Sequence, residues 1–341
     1  MMTEIVLPGI VEPEGLVVAS RPLPEPGPGQ VRLGVEASGV SFAEQQMRRG
    51  KYYDQPAFPF VPGYDLVGTV TATGPGVDPA LRGRRFAALT KTGGWASDAI
   101  VDQDDLVAVP DSVDAAAAET VVVNGITAWQ MLHRHARVRP GGTILVHGAN
   151  GGVGSTLVQL ARHAGIRVLG TASARNHDAV RALGAEPIDY RSDVPARVRE
   201  LAPDGVDAVF DHVGGASVRD SYRLLAKGGA LIAYGTASTK NEPGNSQLPV
   251  LRLFARLAWW NVLPNGHRAM FYNIWSGLRR RAAFRARLRE DLTQVFRLLA
   301  DGAITAQVAA RVPLTEASDA LRLAESGTVT GKVVLVPDVT R

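Results

Sequence analysis

The sequence predicts an α/β protein of two domains, one mostly β and one built on a doubly wound parallel sheet. Three observations carry that prediction. A length of 341 residues with 45% hydrophobic content is enough for two sizeable cores at about 150 residues per domain. Thirty-six glycines and 21 prolines punctuate the chain into short elements. From residue 120 to 277, strand-like and helix-like segments alternate, as they do in a parallel sheet with crossover helices.

Taken in order, residues 1–119 hold period-two runs such as Gln30–Ala37 and Asp65–Thr71 between Pro and Gly turns, so they read as a compact, mostly β domain. In the next stretch Thr143–His147 is a buried strand, Ser155–Ala164 has helical spacing, Arg167–Thr171 is a strand and Asp178–Leu183 a helix. Val206–Asp211 and Ala230–Gly235 continue the series, and Ala269–Trp275 ends it as an apolar, strand-like run. An exposed edge there invites pairing, so a homodimer joined along it is expected. A helix over about Ala283–Ala300 and short strands around one helix in 307–336 follow. That β return assigns residues 278–341 to the first domain, with 120–277 as the second.

Composition removes several functions. The chain has no cysteine, which excludes disulfides, thiolate zinc sites, iron-sulfur clusters and a cysteine nucleophile. Its amino terminus, MMTEIVLPGIVEPEG, has no basic stretch followed by an apolar run, so no signal peptide and a cytoplasmic location are expected. The longest apolar stretch, Leu248–Leu263, contains Arg252 and Arg256 and is too short to span a bilayer. The net charge of +4 is uneven: residues 248–297 carry ten arginines against Glu290 and Asp291. A solvated helix face explains this more simply than nucleic acid or anionic lipid, and no nucleic-acid partner is expected.

The strongest chemical signal runs from Val146 to Ser155, between a strand and a helix, with Ala149, Gly151 and Gly154 at the spacing of a dinucleotide turn and Asn150, Gly152 and Val153 between them. Glycines there let the backbone approach a pyrophosphate, and the helix amino end favours its charge. At the end of the next strand an acid would bond a free ribose 2′-hydroxyl. The sequence instead reads Thr171-Ala-Ser173-Ala-Arg175, with no Asp or Glu before Asp178. Ser173 and Arg175 can donate to a 2′-phosphate, which predicts NADPH over NADH.

Further segments are Gly39–Glu44, Arg48-x-Gly50-x-Tyr52, Pro62–Gly68, Asn124–Ala128, Leu183–Ala185, Phe210–Gly215 and Gly331–Leu335. With them the chain resembles, over nearly its whole length, the zinc-independent quinone oxidoreductase (zeta-crystallin-like) group of medium-chain dehydrogenases/reductases. The resemblance implies a GroES-like catalytic domain (1–119 and 278–341) and a Rossmann domain for NADPH (120–277). It also implies hydride transfer to a quinone or to the β-carbon of an α,β-unsaturated carbonyl compound. Family position brings Ser41, Tyr52, Tyr64, Asn124 and Thr127 towards the nicotinamide. Of these, Tyr52 is the first choice of proton donor, with Ser41 and Tyr64 beside it as catalytic candidates. Cofactor contacts carried over by resemblance are Asn124, Thr127, Tyr190, His212, Val213, Tyr234, Gly235 and Thr236, with Lys332 closing over the cofactor.

The sequence also departs from its relatives. Where zinc-dependent members have Cys, His-Glu and Cys, this chain has Ser41, Tyr64-Asp65 and Asn124, and the lobe for a structural zinc is missing between Asp98 and Pro110. No metal site is therefore expected. Ser41 and Gln46 stand where many quinone oxidoreductases have Asn and Tyr. The Gly235–Arg268 loop is about ten residues longer than is usual for the group. In it Leu251, Phe254, Leu257 and Ala258 recur at helical spacing, predicting an amphipathic helix over Pro249–Leu263 that walls the substrate cleft and favours bulky apolar substrates. His147 reads as a satisfied strand residue, and His133 and His135 have no third ligand. A different class of function stays open: an NADPH-binding protein of low turnover that acts by binding RNA, lipid or protein.

Overall fold

The computed structural model describes residues 1–237 and 247–338. It divides into two compact units, Met1–Ile126 with Arg279–Arg341, and Thr127–Leu278. The first opens with β1 (Met2–Val6), β2 (Val17–Arg21), β3 (Gln30–Val40), α1 (Phe42–Met47), β4 (Asp65–Thr73), β5 (Arg85–Leu89), β6 (Asp98–Asp102), β7 (Val107–Ala108) and α2 (Ala115–Thr120). Helix α3 (Val123–Trp129) carries the chain across the division. The second unit contains β8 (Thr143–Val146), α4 (Gly152–His163), β9 (Arg167–Ala172), α5 (His177–Leu183), β10 (Glu186–Asp189) and α6 (Val194–Leu201). It continues through β11 (Val206–Asp211), α7 (Ser217–Arg223), β12 (Leu225–Ala233), α8 (Gln247–Trp260) and β13 (Arg268–Phe271). The chain then returns to the first unit with α9 (Arg281–Ala300), β14 (Val308–Pro313), α10 (Ala317–Glu325) and β15 (Lys332–Val336).

In the first unit the sheet runs β14-β15-β3-β4-β5-β7, with β6 also paired to β3. Strand β3 shows why its sequence alternates: Val31, Leu33 and Val35 are buried in a core with Leu66, Val70 and Phe86, Ala37 is buried after them, and the residues between are partly exposed. The carboxyl end completes this sheet, because β15 pairs antiparallel with β3 through Val333↔Val40, Val334↔Gly39 and Leu335↔Ser38. Helix α9 starts at Arg281 behind Arg279 and Arg280 and has no side-chain cap, so positive charge gathers at a helix amino end, where it is unfavourable. One turn further on Arg285 reaches Asp102, Asp104 and Asp105 at 3.0, 3.1 and 2.8 Å. Part of the arginine-rich segment is thus committed to internal ion pairs.

In the second unit the sheet order is β10-β9-β8-β11-β12-β13, with all pairings parallel. The order reverses next to β8, the topological switch point at which such sheets take their ligands. Strand β13 is an edge and covers Arg268–Phe271, shorter than the apolar run Ala269–Trp275 suggests.

The long loop requires a correction. Residues 238–246, its first part, lie outside the described residues, and a helix does follow. Its buried face, however, is Leu253 and Leu257, with Trp260 packed beside them, in the core formed by Leu231, Val218, Tyr222 and Ala269. Leu251 and Phe254 are exposed, as is Ala258. The segment is apolar on several sides, so spacing alone does not choose the face; the sheet beneath it does.

Candidate active site

Because the second sheet is parallel, the carboxyl ends of its strands share one edge, and most of the expected cofactor residues meet there. The turn from His147 to Gly154 follows β8, Ser173 and Arg175 follow β9, Tyr190 follows β10, His212 and Val213 follow β11, and Tyr234, Gly235 and Thr236 follow β12. Ala149 is fully buried, and its N–H donates to Thr171 O at 2.9 Å.

This edge fits a dinucleotide. Helix α4 opens at Gly152 behind Gly151, without a side-chain cap, so its first amides point outward with the positive end of the helix dipole. A Cβ on Gly154 would stand 2.1 Å from Gly148 O, so only glycine lets the turn close on itself. Gly148 has φ +65, and the His212 ring fills the space its Cβ would need. His212 Nδ1 is buried and has no hydrogen-bond partner among the described residues, a polar atom available to a bound group. Burial and the neighbouring His147 both hold the His212 imidazole below its ordinary range, so the ring is neutral. Ser173 Oγ accepts an N–H from Asn176 at 3.1 Å, which leaves its own proton to donate. Arg175 is exposed on the same turn.

The catalytic candidates of the first unit are placed differently from expectation. Ser41 is the amino cap of α1: its hydroxyl accepts the Ala43 N–H at 3.1 Å and donates to Glu44 Oε2, completing a capping box. Its one proton is committed to Glu44, so as it stands it has none to donate to a substrate. Glu44 Oε1 in turn accepts the Tyr64 N–H at 2.7 Å. Burial pushes the Glu44 carboxyl above the usual carboxylate range, although the Ser41 bond opposes this.

The Tyr64 and Tyr52 hydroxyls lie 2.8 Å apart, their rings edge to face. Burial, reinforced by Tyr64, pushes Tyr52 far above the ordinary phenol range. Tyr52 therefore keeps its proton and serves as a hydrogen-bond donor; as an acid it is weaker than a free phenol. Asn124 is buried on α3, its amide donating to Thr120 O at 3.0 Å, and Thr127 is buried one turn further on.

Lys332, expected near the cofactor, is held inside the first unit: its ammonium is buried, donating to Asp65 Oδ1 and Oδ2 at 2.9 and 2.7 Å and to Glu119 Oε1 at 2.7 Å. Asp65 Oδ2 also accepts the Val123 N–H at 2.8 Å. Burial opposes the Lys332 charge, but Asp65, with Glu119 beside it, more than offsets burial and holds the ammonium above its usual range. Burial pushes Glu119 well above the carboxylate range, and Asp65 adds to this. A Cβ on Gly39 would fall 2.0 Å from Lys332 Cε, so the glycine of the Gly39-Val40 motif makes room for this cluster.

Sequence reasoning assigned Glu44 and Glu119 no role: Glu44 stands three residues after Ser41, the spacing of a capping box, whereas Glu119 is marked only as an acid after the alanine run 115–118. Among the described residues no group of three His, Cys, Asp or Glu side chains is arranged to hold a metal ion, and no helix is long and apolar enough to cross a membrane.

Two family models match parts of the chain: alcohol dehydrogenase GroES-like domain over residues 27–111 and zinc-binding dehydrogenase over residues 183–335. The synaptic vesicle membrane protein VAT-1 homolog of Rattus norvegicus is 32% identical over 345 residues, covering 98% of this chain and 83% of the rat protein. Among solved structures, the mycobacterial protein Rv1454c complexed with NADPH is 32% identical with a TM-score of 0.84, over 99% of this chain and 100% of that one. A quinone oxidoreductase of Pseudomonas syringae pv. Tomato DC3000 is 28% identical with a TM-score of 0.85, over 99% and 100%. With the GroES-like and parallel-sheet units both present and relatives matched nearly end to end, the chain belongs to the quinone oxidoreductase, zeta-crystallin-like group of the medium-chain dehydrogenases/reductases.

Proposed function

We propose that the chain is an NADPH-dependent oxidoreductase of the cytoplasm that reduces a quinone or the β-carbon of an α,β-unsaturated carbonyl compound. One observation carries the reading: an uncapped glycine turn shares its sheet edge with Ser173 and Arg175, and the 171–175 turn has no carboxylate for a free ribose 2′-hydroxyl. The NADPH complex of a relative at 32% identity supports it.

In this reading the amides of Gly151, Gly152, Val153 and Gly154, beside Ala149 and Asn150, hold the pyrophosphate, and Ser173 and Arg175 hold the 2′-phosphate. Tyr190 flanks the adenosine, and His212 and Val213 flank a ribose. Tyr234, Gly235, Thr236 and Thr127 line the nicotinamide end. When bound, the nicotinamide supplies a hydride to an electron-poor carbon. In the Tyr52–Tyr64 pair one hydroxyl donates to the other, and the remaining proton is the one proposed to be donated to the substrate oxygen on which charge settles, with solvent supplying the proton of the product. The decisive experiment follows NADPH consumption against a panel of quinones and enones. Turnover with either class supports the reading, and NADPH binding without turnover on any acceptor overturns it.

That second outcome would favour an NADPH-binding protein that acts through RNA, lipid or protein. The observation behind this reading is the outer face of α8, where Leu251, Phe254 and Trp259 are exposed, followed by Val262. Salt-dependent binding to RNA and to liposomes tests it. We also propose a homodimer paired along β13, whose outer edge is open. Sedimentation as a monomer at micromolar concentration, in low and moderate salt, would contradict it.

A further inference from the structure

Behind the glycine turn lies a chain of buried polar groups. Gly148 N–H donates to Thr171 Oγ1 at 3.1 Å, and Thr171 Oγ1 lies 3.2 Å from His147 Nδ1. On the other side of the ring, His147 Nε2 lies 3.1 Å from Ser221 Oγ, and Ser221 Oγ donates to Asp211 Oδ2 at 2.8 Å. All four side chains are buried, Asp211 completely. Asp211 Oδ2 also accepts from Ser217 Oγ at 2.8 Å, while Oδ1 accepts the N–H groups of Val213 and Gly214 at 2.8 and 3.0 Å.

The direction of each bond follows from what its partners can do. A carboxylate only accepts, so the one Ser221 proton goes to Asp211, and Ser221 must accept from His147; Nε2 therefore carries a hydrogen. With Nε2 carrying the hydrogen of a neutral ring, Nδ1 is bare and accepts; Thr171, which accepts from the Gly148 amide, still has its own proton to give to it. The Ser221 end thus fixes the tautomer, and the Thr171 end satisfies it. Protonation of Nδ1 would turn the Thr171 hydroxyl away from its acceptor inside a buried site, at the cost of an unmade bond. Burial of His147 pushes in the same direction, towards the neutral ring.

From this geometry we infer that His147, as the neutral Nε2–H tautomer, is a positioning residue for the cofactor. It closes a one-directional relay that ties the turn after β8 to the ends of β9 and β11. It rests on the reading of this edge as the NADPH site. The relay holds the first amide of the turn against Thr171 and the 212–217 turn against Asp211, so the cradle is set before the cofactor arrives.

Two measurements test the inference. In the full chain with ¹⁵N-labelled histidine, long-range ¹H–¹⁵N correlation without cofactor should show His147 with a protonated Nε2 and a bare Nδ1 at neutral pH. An Nδ1–H tautomer or an imidazolium overturns the relay. NADPH affinity is then compared in His147→Asn and His147→Phe. Asn keeps an acceptor near Thr171, whereas Phe keeps the ring volume and loses both bonds. The relay predicts a loss of about tenfold or more for Phe, the scale of one or two buried hydrogen bonds, and a smaller loss for Asn. A purely space-filling role predicts the reverse order, and that order, or equal affinities, overturns the inference. Failure of the wild-type chain to bind NADPH would overturn the cofactor reading and this role with it. The tautomer, measured without cofactor, distinguishes that failure from a failure of the relay.

Discussion

Lys332 Nζ donates to Glu119 Oε1 at 2.7 Å inside a core where both side chains are almost fully buried. With Asp65 on the same ammonium, the cluster holds two carboxyls for one cation, and burial favours a proton on Glu119. Glu119→Gln should therefore fold with a stability within about 1 kcal/mol of wild type at neutral pH. Lys332→Met leaves the carboxyls without their cation and should cost about 3–5 kcal/mol. Urea unfolding of both variants checks the contrast, and equal losses would show that Glu119 is charged.

The Tyr52–Tyr64 hydroxyl pair is expected to act by donating a hydrogen bond. Tyr52→Phe should lower kcat about tenfold to a hundredfold and leave NADPH affinity intact. Because burial holds Tyr52 above the ordinary phenol range, its ionisation should add no basic limb to the rate profile below about pH 10. A limb near neutrality that disappears in Tyr52→Phe would instead make it a true acid.

NADPH should bind about tenfold more tightly than NADH or better, the worth of one charge-assisted hydrogen bond. Arg175→Ala should close the gap by weakening NADPH alone, and Ser173→Ala should close part of it. Titration calorimetry with both dinucleotides decides this, and equal wild-type affinities would remove the basis of the preference.

Acid should erode the contribution of His147. Its folded-state pKa is lowered by burial, with Asp211 opposing and His212 the other titratable ring nearby. A depressed histidine stabilises the fold fully above its unfolded pKa of about 6.5, and that stabilisation is lost as pH falls towards the folded value. The stability difference between wild type and His147→Asn should therefore narrow from neutral pH towards about pH 5, as measured by urea unfolding across that range. A difference that widens on acidification would mean that the ring is charged in the fold.

Helix α8 can be tested by its two faces. Leu257→Ala, on the buried face, should cost about 2–5 kcal/mol. Leu251→Ala, on the exposed face, should stay within about 0.5 kcal/mol in the monomer. Similar losses at both positions would mean that the outer face is covered in solution.

The sequence by itself determined the fold class, the return of the carboxyl end to the first sheet and the gathering of the cofactor residues. The reason is that these depend on period and order: alternation in β3, strand–helix alternation from β8 onward, and a glycine turn between β8 and α4. A parallel sheet then places Ser173, Tyr190, His212 and Tyr234 at one edge, whatever their spacing along the chain. Only the tertiary structure decided where individual polar groups spend their bonds. Lys332 was drawn inward because the pairing of β15, β3 and β4 sets it beside Asp65, and α2 brings Glu119 to the same point. The buried face of α8 was fixed in the same way, by the sheet it covers, since an apolar residue on any side of that helix satisfies the sequence pattern equally well.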